Sequence, residues 1–600
     1  MSYIRIIYVL FMGFCCYTQS FAQRVMEQLD RGLVAVPLND QAAFVSWRLL
    51  KSDPTGVAFN LYRQYDGEKA IKLNQQPLAD GTNFKDTLLA SERTAHYFVK
   101  AIVRDREQEA SKSYVLDVQH RDVPYLTIPL QPLAGYRAND ASVGDLDGDG
   151  TYEIVLHRAG RGHDNSQDGE TDPPILEAYK LDGTFMWRIH LGKNIREGAH
   201  YTQFMVYDLD GDGKAEVACK TADGTVDGIG KVIGDASKDW RNDRGRILDG
   251  PEFLTVFKGE TGEALATTTY LPSREPIDGW GSVGHNDSKG NRADRFLAAV
   301  AYLDGRLPSL VMCRGYYGRS VLAAWDFRSG KLQKRWIFDS ENGENPYSGQ
   351  GFHNLSVADV DGDGRDEVIY GAMAIDDNGK PLYTTGWGHG DAQHLGDLDP
   401  TRPGLEIFTI HEHAPKSRPG AALRDARTGE ALWTGAYGID VGRGVAENID
   451  PDNPGAEMWF SGSDGLLNLQ GKKIGPAPRS TNFLIWWDGD LTRELLDRTS
   501  ISKYKKGVIF TAEGCVANNG TKSNPSLSAD ILGDWREEVI FPTADHQALR
   551  IYTTSIPSRH RISCLMQDPQ YRLSIAWQNV GYNQPPHTSF YMGEDQVKEK

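Results

Sequence analysis

The stretch DVDGDGRDEVIYGAM, residues 359–373, decides the fold because it is one of a set. DLDGDGTYEIVLHRA begins at Asp145 and DLDGDGKAEVACKTA at Asp208; looser copies begin at Asp397, Asn448 and Asp530, and degenerate ones lie near Leu303 and Asp488. Each copy sets a short apolar run on either side of a Gly/Asp turn, the pattern of two strands joined by a hairpin. Strand units recurring at roughly 40–60 residues are the signature of a β-propeller, one small antiparallel sheet per blade. Eight copies predict an all-β fold built on an eight-bladed β-propeller.

The three intact copies share the spacing D-x-D-G-D-G-x-x-E, which gathers Asp145, Asp147, Asp149 and Glu153, then Asp208, Asp210, Asp212 and Glu216, then Asp359, Asp361, Asp363 and Glu367. Three aspartates and a glutamate around a glycine turn form the oxygen cage that hard cations such as Ca²⁺ require. These loops are expected to staple strands rather than to perform chemistry.

The rest of the 600-residue chain fits around this repeat. Residues 1–22 carry a basic Arg5, an apolar run and a small-x-small exit, and are expected to form a cleavable export signal. The mature protein would then be periplasmic, cell-surface or extracellular. Residues 23–125 alternate in period two (AFVSWRLL, GVAFNLYRQ, AHYFVKAIV), which predicts a small β-sandwich resembling a fibronectin type III module, with Trp47, Tyr62 and Tyr97 as core aromatics. Residues 126–600 form the propeller. A formal net charge of −17 argues against a nucleic-acid partner. No segment after the leader has the ~20 apolar residues of a membrane span, and a monomer is expected. Cys219, Cys313, Cys515 and Cys564 lack the spacing of a zinc site or disulfide framework.

In a hairpin, the start of the first strand and the end of the second lie together, roughly 15 Å from the turn for five residues per strand. Reading that position in each repeat gives Asn139 and Asp140, Gln203, His353, Asp391, Arg443 and Asn524, nearly all polar. At the same end the fifth copy reads IHEHAP, setting Glu412 between His411 and His413, and TGWGHGDAQH just upstream adds His389 and Asp391. Asp140, His353, His389, Asp391 and Glu412 are therefore candidates to converge on a second, functional metal. On coordination chemistry alone, Mn²⁺ or Zn²⁺ competes there with Ca²⁺, because imidazole is unusual for calcium. Two segments outside the repeat, EGCVANNGTKSNPS and WQNVGYNQPPHTSFYMG, present Lys522, Asn579 and Tyr582. Lys522 and Arg443 beside a metal on so acidic a protein point to an anionic ligand.

LDRGLVAV, NIREGAHYTQFMVYDLDGDGKAEVACKTADGTVDG, HNLSVADVDGDG, NNGTKSNPS and YNQPPHTSFYMG together resemble the bacterial rhamnogalacturonan lyases of polysaccharide lyase family 11, over essentially the whole mature chain. The resemblance implies an eight-bladed propeller behind a small β-domain, and calcium-assisted β-elimination of an acidic pectic polysaccharide, the rhamnose–galacturonate backbone of pectin. It implies cleft metal ligands at Asp140, His353, His389, Asp391, Glu412 and Asn579, with Ca²⁺ favoured despite the histidines. It implies catalytic or uronate-facing roles for Arg443, Lys522 and Tyr582, and sugar contacts at Asn139, Asp164, Asn519, Gly520 and Thr521. Lys522 and Tyr582 both stand as candidates for the base.

Two other readings use the same residues. Integrin-type propellers carry DxDGDG repeats and only bind, and a hydrolase would set two carboxylates such as Asp140 and Glu412 across a glycosidic bond. The titratable rim favours an enzyme, and an unsaturated product separates a lyase from a hydrolase.

Overall fold

The structure, a computed structural model, describes residues 23–90, 92–117, 123–198, 201–281, 287, 289–343 and 345–594. The expected export signal lies outside these residues. The fold is all-β: a single α-helix, Pro569–Trp577, occurs among the described residues, beside short 3₁₀ turns.

Ten antiparallel sheets account for the strands. Two belong to the N-terminal region, one of three strands and one of five, and close on a core containing Trp47, Phe59, Leu61, Tyr97 and Val99. Trp47 and Tyr97 are fully buried as expected. Tyr62 is not a core residue. It lies on the outward face of Ala58–Tyr65, stacked on Phe98 at 5.2 Å with its hydroxyl on Glu107, because the period-two alternation that turns Leu61 inward turns its neighbour out.

The other eight sheets follow one another along the chain, and every one begins with a repeat hairpin. The first strands are Arg137–Gly144, Phe204–Tyr207, Phe296–Ala301, Ser356–Ala358, Gly390–Gly396, Gly444–Glu447, Phe483–Ile485 and Leu527–Ala529. First strands such as Phe296–Ala301 are buried along their whole length, which explains their unbroken apolar sequence; the fourth strand of that sheet, Lys331–Asp339, alternates and carries lysines at an exposed edge. First strands of several consecutive sheets lie against each other, and that of the eighth lies against that of the first. The eighth sheet takes its last strand from the other end of the region: Tyr125–Pro129 pairs with Ala548–Tyr552.

In seven of the eight turns the closing glutamate has one job in common. Its carboxylate accepts a hydrogen bond from the backbone N–H of the residue after the turn's opening position, an Asp or Asn in six copies and Trp486 in the seventh, as in Glu153 with Leu146 (2.8 Å), Glu367 with Val360 (2.8 Å) and Glu494 with Trp487 (2.7 Å). The turn near Leu303 has Ser309 in place of that glutamate, and the Tyr302 N–H bonds to Asp366 of the next repeat instead.

Arg24 to Arg31 do not enter the small sheets but cross the hairpin turns of the large region. Arg24 pairs with Asp366, the Val25 N–H donates to the Arg306 carbonyl, and the Asp30 N–H to Gly150. Glu27 receives both arms of Arg572 from the helix, at 2.6 and 2.7 Å, while Arg572 also donates to the carbonyls of Val143 and Val206 in the first two sheets. Both side chains are buried, so removing one partner strands a charge. We predict that Arg572→Met lowers stability by about 3–5 kcal/mol in thermal or urea unfolding, whereas the double variant Glu27→Met/Arg572→Met recovers most of it.

Candidate active site

At the end of the sheets away from the turns, His353, His389, Asp391 and Glu412 offer ligand atoms that all lie within 4.8 Å of one another. Local backbone chemistry sets this up. In the fifth sheet Gly390 faces His411 and Ala392 faces Ile410, so Asp391 is an extra residue, a bulge that takes its side chain out of the ladder. Gly390 is required there, since a Cβ would stand 2.0 Å from the Ile410 carbonyl oxygen. Asn139 and Asp140 occupy the corresponding bulge of the first sheet, between Ala138 facing Arg158 and Ala141 facing Leu156.

The His389 Nδ1–H donates to the Gly351 carbonyl at 2.5 Å, which leaves Nε2 as the lone-pair nitrogen, buried without a hydrogen-bond partner among the described residues and 3.8 Å from Glu412. Burial lowers the imidazole to about 3, so it is neutral. His353 Nε2 stands 3.0 Å from the Tyr317 hydroxyl, 3.5 Å from Asp391 and 4.0 Å from Glu412. Asp391 is raised to about 7 by desolvation and then by the Glu412 charge, and Glu412 is raised by desolvation. Two crowded carboxylates and a bare imidazole nitrogen form a group that could hold a cation.

Tyr582 forms the neighbouring wall. Its ring stacks on His353 at 4.1 Å, with Lys522 Nζ 3.6 Å and the Arg443 guanidinium 5.0 Å from the ring centre. The Tyr582 N–H donates to the His353 carbonyl, and Gly581 before it has φ +57° and passes so close that a Cβ would meet that oxygen at 2.0 Å. Lys522 is lowered to about 8 by desolvation and then by Arg443, and Tyr582 is raised by desolvation and then by Asp391. Lys522 ends a 3₁₀ turn, Gly520–Lys522, held between left-handed Asn519 and Ser523.

The other expected residues fall around this group. Asp140 accepts from Asn519 Nδ2 at 2.9 Å, and Asn519 also donates to Asn583; Asp140 is raised to about 6 by desolvation, and it belongs to this Asn519 network rather than to the four-residue group. Asn139 sits half-buried beside it, and Gly520 and Thr521 are exposed on the same loop as Lys522. Asp164 forms a 3.5 Å ion pair with Arg295. The Asn579 amide bonds to the backbone of Phe204 and Ala576, pinning the chain after the helix to the second sheet. His411 is likewise structural, bonded to Gly388 and Thr409. Tyr316 and Tyr317, which pack against His389 at 5.5 and 4.2 Å, escaped the sequence reading although RGYYGR follows the second strand of its sheet just as HEHAP does in the fifth.

At the opposite end, Asp145, Asp147 and Glu153, Asp208, Asp210 and Glu216, and Asp359, Asp361 and Glu367 each form a compact carboxylate group. The opening aspartate also organises the turn: Asp145 accepts from the N–H groups of Gly148, Asp149 and Gly150. The third aspartates, Asp149, Asp212 and Asp363, each accept through one oxygen from the N–H two residues on, at 2.8–2.9 Å. Glu367 Oε1 and Glu457 Oε1 are buried without a hydrogen-bond partner among the described residues, and desolvation raises these carboxyls to about 9 and about 8. The degenerate turn at Asp488 resolves the same crowding differently: Lys503 Nζ lies 3.1, 2.6 and 2.5 Å from Asp488, Asp490 and Glu494.

Residues 131–600 match the model of the rhamnogalacturonan lyase family 11 C-terminal domain, and residues 24–116 that of the rhamnogalacturonan I lyase β-sheet domain. The chain belongs to rhamnogalacturonan lyase family 11. Within the curated family it is similar to the rhamnogalacturonan endolyase YesW of Bacillus subtilis, 54% identical over 99% of this chain and 96% of the relative, and to the exolyase YesX of the same organism, 55% identical over 96% and 97%. A solved family 11 lyase of Bacillus licheniformis superposes with a TM-score of 0.91 at 56% identity, over 97% of this chain and 99% of that one.

The raised Asp391 carboxyl yields a test of the cation site without substrate. A carboxyl whose pKa is higher in the fold than in the unfolded chain contributes stability that is full below its unfolded value near 3.8 and is lost as pH rises through about 7. We predict that metal-free Asp391→Asn lacks this loss and melts higher than metal-free wild type above pH 7 by about 1 kcal/mol, and that added Ca²⁺ reverses the order. Melting curves with and without chelator across pH 4–8 check both parts.

Proposed function

We propose that this chain is a secreted rhamnogalacturonan lyase that cleaves the rhamnose–galacturonate backbone by Ca²⁺-assisted β-elimination, in a cleft at the hub of an eight-bladed propeller. The observation that carries the reading is the convergence of His353, His389, Asp391 and Glu412 beside Lys522, Arg443 and Tyr582, in a chain whose relatives are named rhamnogalacturonan lyases. Eight successive sheets, the contacts between first strands and the pairing of Tyr125–Pro129 with Ala548–Tyr552 support the propeller. The apolar, small-x-small leader supports export.

The chemistry required is removal of a weakly acidic C5 proton next to a carboxylate that must take up further negative charge. His353, His389, Asp391 and Glu412 would hold the Ca²⁺, which when bound would supply positive charge against that carboxylate. Arg443 adds a second, permanent cation on the same side. Lys522 is the base: burial and Arg443 lower its ammonium to about 8, so a useful fraction is the free amine near neutral pH. Its Nζ takes the C5 proton, the C5–H electron pair becomes the C4–C5 double bond, and the C4–O4 bond breaks. Tyr582, whose phenol is held protonated, donates to the departing oxygen, which becomes the hydroxyl of a new reducing end. In the turns, the partnerless oxygens of Glu367 and Glu457 support Ca²⁺ as a staple.

Incubation with rhamnogalacturonan I should release ultraviolet-absorbing unsaturated ends, with homogalacturonan a poor substrate and chelator abolishing turnover. Lys522→Ala should lower kcat by about 10²–10⁴-fold with Ca²⁺ affinity retained. kcat in wild type should rise with pH to a plateau above about 8, as the amine form fills. A reducing end without unsaturation, or a fully active Lys522→Ala enzyme, would refute this mechanism.

A further inference from the structure

The cleft holds a second cationic pole that the mechanism leaves unused. Lys522, Tyr582, His353, Tyr317 and Arg292 form one continuous row. The ammonium lies 3.6 Å from the Tyr582 ring centre, Tyr582 stacks on His353 at 4.1 Å, His353 meets Tyr317 edge-on at 5.5 Å, and the Arg292 guanidinium lies over the Tyr317 ring at 3.8 Å. Three aromatic rings thus separate two cations, one beside the proposed reacting carboxylate and the other across the metal group from it. The neighbouring arginine, Arg295, is buried, paired with Asp164 and bonded to Asn291. Arg292 is half-buried and makes no ion pair among the described residues. A guanidinium stacked through its face on a tyrosine keeps its N–H edges directed outward, the fork that matches a carboxylate. Its charge is felt inside the site, where it opposes protonation of His389 and favours ionisation of Glu412.

A rhamnogalacturonan backbone carries a carboxylate on every second sugar, so a strand seated with one uronate at Lys522 and Arg443 presents others at a regular interval along the cleft. We propose that Arg292, mounted on Tyr317, is a specificity residue that binds a second uronate carboxylate of the same strand, away from the bond that is cleaved. The proposal rests on the rhamnogalacturonan reading above and adds to it a subsite for the repeat of the polymer. Arg292 touches substrate but not the reacting atoms, so its binding energy favours longer strands rather than the chemical step.

The test uses the full chain and rhamnogalacturonan oligosaccharides lengthened by one disaccharide at a time, with kcat and KM followed by unsaturated product. In wild type, kcat/KM should step up about tenfold at the length whose added uronate reaches Arg292. Arg292→Ala should lose that step through a higher KM on the longer members, and Arg292→Lys should keep part of it, since a single ammonium replaces a bidentate fork. Melting curves check that both variants fold. A step that survives in Arg292→Ala, or the absence of a step in wild type, overturns the proposal. So does an equal loss of kcat at every length, which would make Arg292 a mere support for Tyr317 and His353. A wild-type enzyme inert on every member would instead overturn the functional reading, and the subsite with it.

Discussion

The pairing of Tyr125–Pro129 with Ala548–Tyr552 is the constraint on which the large region depends. Strands more than 400 residues apart complete one sheet, so the first sheet and the last are neighbours, as their first strands also show. The chain's beginning and end reinforce this closure. Residues from Arg24 to Arg31 cross the turns, and the segment after the helix runs past Phe204, His353 and His394. His389, Asp391 and Glu412 stand together on the fifth sheet, while His353, Arg443 and Lys522 stand beside the fourth, sixth and eighth and Tyr582 on that final segment, so the position of these sets relative to one another depends on how the sheets are held together.

Within that frame, the site works by opposed charge in a place poor in water. The Glu412 charge raises the cost of ionising Asp391, while the Arg443 charge raises the cost of protonating Lys522, and the Tyr582 and His353 rings lie between the two sets. Burial is the leading cause of both departures. On the proposed reading, a polyanionic strand and a divalent cation would relieve the two imbalances together, which would give ligand binding here a physical origin apart from shape.

Much of this was legible in the sequence because the informative features were local. A Gly/Asp turn between apolar runs writes its strands, turn and carboxylates within about fifteen residues, and all eight repeats proved to be hairpins opening a sheet. Asp391, His353 and Glu412 were reachable because they stand at a fixed offset from those turns. Features that depend on tertiary packing were not: the bulges at Asp140 and Asp391, the stacking of Tyr316 and Tyr317 on His389, and the placement of Arg292 have no local signature. The backbone bonds that the Asn579 amide makes to Phe204, at a crossing of distant segments, have no local signature either.

Lys503 sets the seventh of the eight sheets apart from its siblings. An ammonium tethered to the backbone occupies, in the turn at Asp488, the place that the proposed Ca²⁺ takes in its siblings. It is neither diluted away nor captured by a competing ligand, so this seam holds in calcium-poor surroundings. If Ca²⁺ staples the turns at Asp208 and Asp359, its depletion would loosen those sheets while the seventh stayed clasped.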